Sequence, residues 1–366
     1  MTNRAEAVIN LSAIKSNVAT LKAKAGVDLM AVVKADAYGH GLVPVAKVAL
    51  EGGATWLGVA LLEEAIALRT AGITAPILAW LVPPGSDFQS AIDKDIDLAV
   101  SSIKALDEIR LLKGSKRPRI HLEVDTGMTR GGFLSEWSEI DRDHLQGVEI
   151  VGIFSHFARA DEPGQAQNLE QINRFKKMVA NLDSFGFTNL IRHLSNSAAT
   201  LVDHSSAFDM VRAGIAMYGL TPDLNHLGTS QSLGLKPAMT LRAKLHLVKA
   251  VPAGSPVGYG ATEKTKSNTT LGVVAMGYAD GIPRIAKGAG IFFNGKRAPI
   301  IGRVSMDQFV VDLGADTKAQ SGDWVTIFGA GDAGEYTADD WGGASSSINY
   351  EIVTRIGPRV PRIYEL

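Results

Sequence analysis

The chain has 366 residues, 46% hydrophobic and 20% charged, a composition suited to a folded globular protein with a barrel-sized domain and a smaller one. Its 37 basic and 38 acidic residues leave a net charge of -1, which excludes the electrostatic footprint of a nucleic-acid or anionic-membrane binder. The absence of cysteine excludes a disulfide framework and thiolate-held metal; with no apolar leader and no run near the roughly 20 residues of a membrane span, the expected compartment is the cytoplasm.

In chain order, short β-type runs alternate with helical patterns over the first two-thirds. The expected strands are Leu29–Val33, Trp56–Ala60, Ile77–Leu81, Leu98–Ser101, Ile120–Val124, Val148–Ser155, Ile191–Leu194 and Met210–Arg212. Helices expected over Leu62–Ala71, Ile103–Leu112 and Gln165–Phe185 fall between them, so a closed (β/α)8 TIM-type barrel over residues 9–234 is more economical than an open doubly wound sheet. After about Leu235 the pattern changes to alternation, with strands expected at Thr240–Leu247, Val273–Met276, Ile300–Val304 and Trp324–Phe328 and a hairpin signal at Asn294-Gly295. Residues 235–366 therefore read as a mostly β C-terminal domain, to which residues 1–8 are a candidate extra strand. Thr337 and Asp340 have the spacing to cap a short helix.

If the first domain is a barrel, its chemistry belongs at the carboxyl ends of the strands. Lys34 follows the first strand, Asp125 to Arg130 the fifth, His156 the sixth, Asn196 and Ser197 the seventh, and Arg212 to Ile215 the eighth. A lysine at the end of a buried strand is partly desolvated, which lowers its pKa and suits it to bond an aldehyde cofactor; the plain alternative is a surface charge. Ser197 with the backbone donors near Gly214 and Ile215 lies where barrels bind phosphate, although Ser197 could equally cap a helix starting at Ala198.

The string VVKADAYGHG around Lys34 resembles the pyridoxal 5'-phosphate (PLP) attachment segment of alanine racemases. HLEVDTGMTRGG, GIFSHFARAD, RHLSNSAAT, VRAGIAMYGL, VGYGAT, GYADGIPR, IGRVSMDQ and INYEIVTRIGPRVPRIY follow in that family's order over nearly the whole chain. The resemblance implies that Lys34 carries PLP and is one catalytic base, with Tyr259 reaching in from a second subunit as the other. Tyr38, Asn196, Ser197, Gly214, Ile215 and Tyr350 would surround the cofactor, and Arg212 would face its pyridine nitrogen, linked to His156 and His193. Arg130 and Met306 would hold substrate, while Tyr278, Arg284, Arg303, Asp161, Asp307 and Ile348 match the mouth of the site and its supports. One departure stands out: Glu123 occupies a position where many members carry a carbamylated lysine that orients Arg130. The function implied is interconversion of L- and D-alanine by a homodimer, supplying D-alanine for peptidoglycan, without metal, nucleic-acid or membrane partners. The alternatives are a racemase of serine or another small amino acid, a non-catalytic PLP-binding protein, and a barrel-type decarboxylase. That last family uses a cysteine from the partner, which this chain lacks.

Overall fold

A computed structural model describes residues 3–366. Strand β1 (Ala5–Asn10) is followed by eight strands, β2 (Asp28–Val32), β3 (Trp56–Val59), β4 (Ile77–Ala79), β5 (Asp97–Val100), β6 (Arg119–Glu123), β7 (Glu149–Phe154), β8 (Ile191–His193) and β9 (Met210–Ala213). The eight form one parallel sheet in the order β8-β7-β6-β5-β4-β3-β2-β9. Asp209 N–H to Arg192 O (3.1 Å) and Arg212 N–H to Ser195 O (2.9 Å) draw its ends together into a nearly closed barrel. Met30, Trp56, Leu78, Ala99, Phe154 and Met210 fill its interior, as the inward residues of a barrel must.

The outer helices form for ordinary reasons. Ile103–Arg110 is capped by Ser102, whose hydroxyl accepts from Ala105 N–H, and it buries Ala105, Leu106 and Ile109 along one stripe. The long helix Ala166–Ser184 buries Ile172, Phe175, Val179 and Leu182, a three-and-four spacing that lays one face on the sheet.

The second unit continues with β10 (Met239–Val251), β11 (Pro256–Val257), β12 (Glu263–Lys264), β13 (Thr269–Val274), β14 (Gly290–Phe293), β15 (Lys296–Pro299), β16 (Phe309–Asp312), β17 (Trp324–Phe328) and β18 (Arg362–Glu365). Its main sheet runs β15-β14-β17-β10-β1-β18, and β13 joins β10 to β16. β1 lies between β10 and β18, antiparallel to the first and parallel to the second. Asn294 and Gly295, at φ 46° and 78°, make the β14–β15 turn. Thr337 caps Ala338–Ala344, its hydroxyl accepting from Asp340 N–H while the Asp340 carboxylate accepts from Thr337 N–H.

The strand expected at Ile300–Val304 does not form. Ile300 makes a single bridge to Val311, and then Gly302 turns to φ 79°, where extended pairing cannot continue. The pairing partner is instead β16, which the alternation pattern had not singled out. The compact units are also discontinuous in sequence: one holds Ile14–Ala37 and Leu42–Lys236, the other the N-terminal residues through Ala13, Tyr38–Gly41 and Pro237–Leu366.

Candidate active site

The buried run of β2 delivers the chain to Lys34, which begins a helical turn over Lys34–Gly39. That turn is left-handed: Ala35, Asp36, Ala37 and Tyr38 have φ of 53°, 52°, 54° and 53°. Left-handed turns cost L-residues roughly 1–2 kcal/mol each, so something must hold this one. Glu64 does so with a single carboxylate, which accepts from Ala35 N–H (2.6 Å), Ala60 N–H and Leu61 N–H (3.0 Å each). Asp36 adds a bond from Leu42 N–H at 2.8 Å. The Lys34 ammonium group is half-buried and 5.8 Å from the centre of the Trp80 ring. Burial first, then the Arg130 charge, push its pKa below that of an ordinary lysine, and Glu64 opposes them.

Across the barrel mouth, Asn196 rather than Ser197 caps the helix Ser197–Val202 by accepting from Ala199 N–H. Ser197 Oγ instead accepts from Gly214 N–H (2.8 Å) and Ala216 N–H (3.3 Å). Accepting twice leaves the hydroxyl proton to donate, next to a 3-10 turn whose first N–H, that of Ile215, has no intrahelical acceptor.

Arg212 on β9 is 5% exposed. Its NH1 donates to His193 O (2.6 Å) and Nδ1 (3.2 Å), and its NH2 to Ser155 O (2.7 Å) and His156 Nδ1 (3.1 Å). None of these bonds uses Nε–H. Burial lowers the guanidinium to about 10, with Glu123 opposing and Arg130 assisting, so it keeps its proton at neutral pH. Both histidines are driven well below the usual imidazole value, His156 by burial and then Arg212, Arg130 and Lys34, and His193 by burial and then His121 and Arg212.

The loop bearing Arg130 is shaped by Asp125, whose carboxylate accepts from the N–H groups of Gly127, Met128 and Thr129. Among the described residues no ion pair within 4.0 Å joins Glu123 to Arg130. The Glu123 carboxylate lies against Gly131, where a Cβ would stand 3.2 Å from Oε1. Burial raises its pKa while the charges of Arg212 and Arg130 lower it. Asp161 is half-exposed beyond β7.

The β unit carries the remaining candidates. Tyr259 and Met306, 69% and 54% exposed, line a cavity of about 540 Å³ with Ser305, Asp307 and Gln308. Arg359 pairs with Asp307 at 2.6 Å and with the fully buried Asp280 at 3.1 Å, and Arg4 meets Asp280 at 2.6 Å. Tyr278 N–H and Ala279 N–H donate to Ser305 O and Met306 O, tying the Tyr278 segment to the Met306 loop. Arg284 and Arg303 line a second cavity of about 450 Å³, and Ile348 is exposed. Tyr38 and Tyr350 face each other with ring centres 6.3 Å apart, and burial raises the Tyr38 phenol's pKa.

Residues 9–222 match the alanine racemase N-terminal domain and residues 238–364 the alanine racemase C-terminal domain. The chain belongs to the alanine racemase family. It is 49% identical to the alanine racemase of Frankia casuarinae, over 99% of this chain and 96% of that one. The crystal structure of alanine racemase from D-cycloserine-producing Streptomyces lavendulae superposes with a TM-score of 0.97 at 48% identity, covering 100% and 98% of the two chains. The Bacillus anthracis alanine racemase with bound L-Ala-P gives 0.89 at 39%, covering 100% and 96%.

Alanine racemases are PLP-dependent isomerases, and the barrel mouth suits that cofactor. Ser197 and Ile215 offer phosphate donors, Lys34 a half-buried amine and Arg212 an ionised donor. Glu64, Asp280 and Arg359 are supports that the residue pattern did not reveal, and Asp125, expected at the barrel mouth only as the start of the Asp125–Arg130 segment, proves to shape that loop through its backbone. Glu64 and Asp125 work on backbone N–H groups, which leave no trace in side-chain spacing.

Proposed function

We propose that this chain racemises alanine with PLP as a cytoplasmic homodimer, supplying D-alanine for peptidoglycan. The observation that carries the reading is the half-buried Lys34 amine, its pKa lowered, at the mouth of a barrel that also holds an ionised, buried Arg212. Lys34 Nζ anchors the cofactor, Ser197 and Ile215 bind its phosphate with Asn196, Gly214, Tyr38 and Tyr350 around it, and Arg212 donates to its ring nitrogen. Bound PLP supplies the electron withdrawal that makes substrate Cα–H acidic.

Racemisation then needs one proton carrier on each face of Cα. Lys34, deprotonated more readily than a surface lysine, exchanges a proton on one face. The partner subunit's Tyr259 serves the other through its phenolic oxygen. Arg130 and Met306 position the substrate, and Tyr278 and Asp307 support the mouth. Arg212, which can only donate, would leave the ring nitrogen of bound PLP without a proton of its own, which would weaken electron withdrawal and favour return of the proton to Cα over side reactions.

Circular dichroism of the purified, PLP-loaded protein should show L- and D-alanine each converging on the racemate. Lys34→Ala should abolish conversion in both directions. Optical activity that stays constant with wild-type enzyme would overturn the reading.

A further inference from the structure

One row of buried polar groups runs through the barrel from its amino-terminal end to Arg212. His121 on β6 and His193 on β8 are both 0% exposed, and their rings meet with His121 Nδ1 2.9 Å from His193 Nε2. His121 Nε2, buried and without a hydrogen bond of its own, lies within ion-pair reach of Asp97 Oδ2 on β5, at 3.4 Å. Arg119 holds Asp97 with two bonds, Nε at 2.9 Å and NH2 at 3.1 Å. Nonpolar rings fix the planes: His193 stacks on Phe154 at 12°, and His121 stands edge-on to Trp56 at 76°. Space for the His121 ring exists because residue 152 is glycine; a Cβ there would stand 2.6 Å from His121 Nδ1.

The two ends of this row dictate where its protons lie. Arginine only donates, so His193 Nδ1, 3.2 Å from Arg212 NH1, must accept. The His193 proton therefore sits on Nε2 and points to His121 Nδ1, which must accept in turn. His121 then has its proton on Nε2, facing the Asp97 carboxylate. The same argument puts the His156 proton on Nε2, since its Nδ1 faces Arg212 NH2 at 3.1 Å.

We propose that Asp97, acting through His121 and His193, is a positioning residue for Arg212: it selects one tautomer in each imidazole and so keeps an acceptor turned towards the guanidinium. The effect on catalysis rests on the racemase reading, whereas the tautomers do not. Asp97 lies at the start of β5, on the barrel end away from the chemistry, where the plain expectation is a stabilising ion pair with Arg119.

The test is nitrogen NMR of the full-length, PLP-loaded enzyme with 15N-labelled histidine, which distinguishes a protonated from a bare ring nitrogen directly. The expected result is an Nε2–H tautomer at His121, His193 and His156; an Nδ1–H tautomer at His121 or His193 would overturn the proposal even with racemase activity intact. Asp97→Asn keeps an oxygen opposite His121 and should preserve both the tautomers and kcat. Asp97→Leu should mix the His121 tautomers and lower kcat about tenfold, the worth of the one Arg212–His193 Nδ1 hydrogen bond that the wrong tautomer gives up, with KM for alanine little changed. Both variants remove the charge paired with Arg119, so equal losses in the two would assign Asp97 a purely structural role and overturn the proposal.

Discussion

Glu64 touches Lys34 in two ways, through its charge and through the backbone. One of its three accepted N–H bonds comes from Ala35, the residue after Lys34, and the other two anchor the carboxylate to Ala60 and Leu61, while its negative charge partly offsets burial and Arg130 at the amine. Glu64→Gln removes the charge and replaces one acceptor oxygen with a donor that opposes a backbone N–H. The Lys34 pKa should then fall further. In the cofactor-free protein, methylation of Lys34 by 13C-formaldehyde and a reductant should reach half its maximal rate at a lower pH than in wild type. The lost bonds should cost roughly 1–3 kcal/mol of stability in urea unfolding. Such a residue escapes a reading of side-chain patterns because its partners are backbone amides, which every residue has. Lys34, by contrast, stands out as the one charge at the end of an apolar run.

At the level of elements, the left-handed turn reverses a familiar rule. Glycine in a right-handed helix costs about 1 kcal/mol relative to alanine. At Ala35, exposed and at φ 53°, glycine instead removes the clash of Cβ with the following carbonyl. Ala35→Gly should therefore be neutral or stabilising by up to about 1 kcal/mol, the gain being reduced by greater freedom in the unfolded chain. Ala67→Gly, on the exposed side of the right-handed helix Leu62–Thr70, should destabilise by about 1 kcal/mol. Denaturant midpoints of the two variants, compared at unchanged m-value, check the opposite signs. Nothing in Lys-Ala-Asp-Ala-Tyr-Gly announces this handedness, since alanine favours ordinary helix. The barrel strands were legible because each is a short β-type run set between turn or helical segments, and all eight appear within two residues of where the pattern puts them. The break at Gly302 was not, because a lone glycine in an apolar run reads equally well as part of a strand.

Two expectations belong to the whole molecule. His193 is buried, His156 half-buried, and both have depressed pKa values, so below about pH 6.5 the unfolded chain binds protons that the folded one refuses. Stability should fall with pH in that range, by up to about 1.4 kcal/mol per pH unit for each histidine, until the folded-state values are reached. Urea titrations from about pH 6.5 down to about pH 5 should show this slope, and it should be shallower in His193→Gln. The second expectation tests sharing of the site between subunits. Lys34→Ala and Tyr259→Phe, each inactive alone, should recover roughly a quarter of wild-type sites when mixed equally and allowed to exchange, since half the dimers are mixed and each has one intact site of two. No recovery despite demonstrated exchange would place Tyr259 in its own subunit's chemistry or outside it.

The position of β1 bears on how such a gene can be recombined. Matching by family divides the chain near residue 230, into segments 9–222 and 238–364 that look exchangeable. Yet β1 lies before that division and is hydrogen-bonded on both sides to strands after it, β10 and β18. Residues Tyr38–Gly41, too, are encoded before it and pack within the later unit, where Arg362 donates to Gly39 O at 2.9 Å. A crossover at residue 230 between two diverged relatives would thus give every chimera an interior strand, paired on both sides, from one parent within a sheet from the other. Functional hybrids should come from crossovers that move residues 5–13 and 38–41 along with the C-terminal segment, so the workable unit of inheritance is three pieces of sequence rather than two halves.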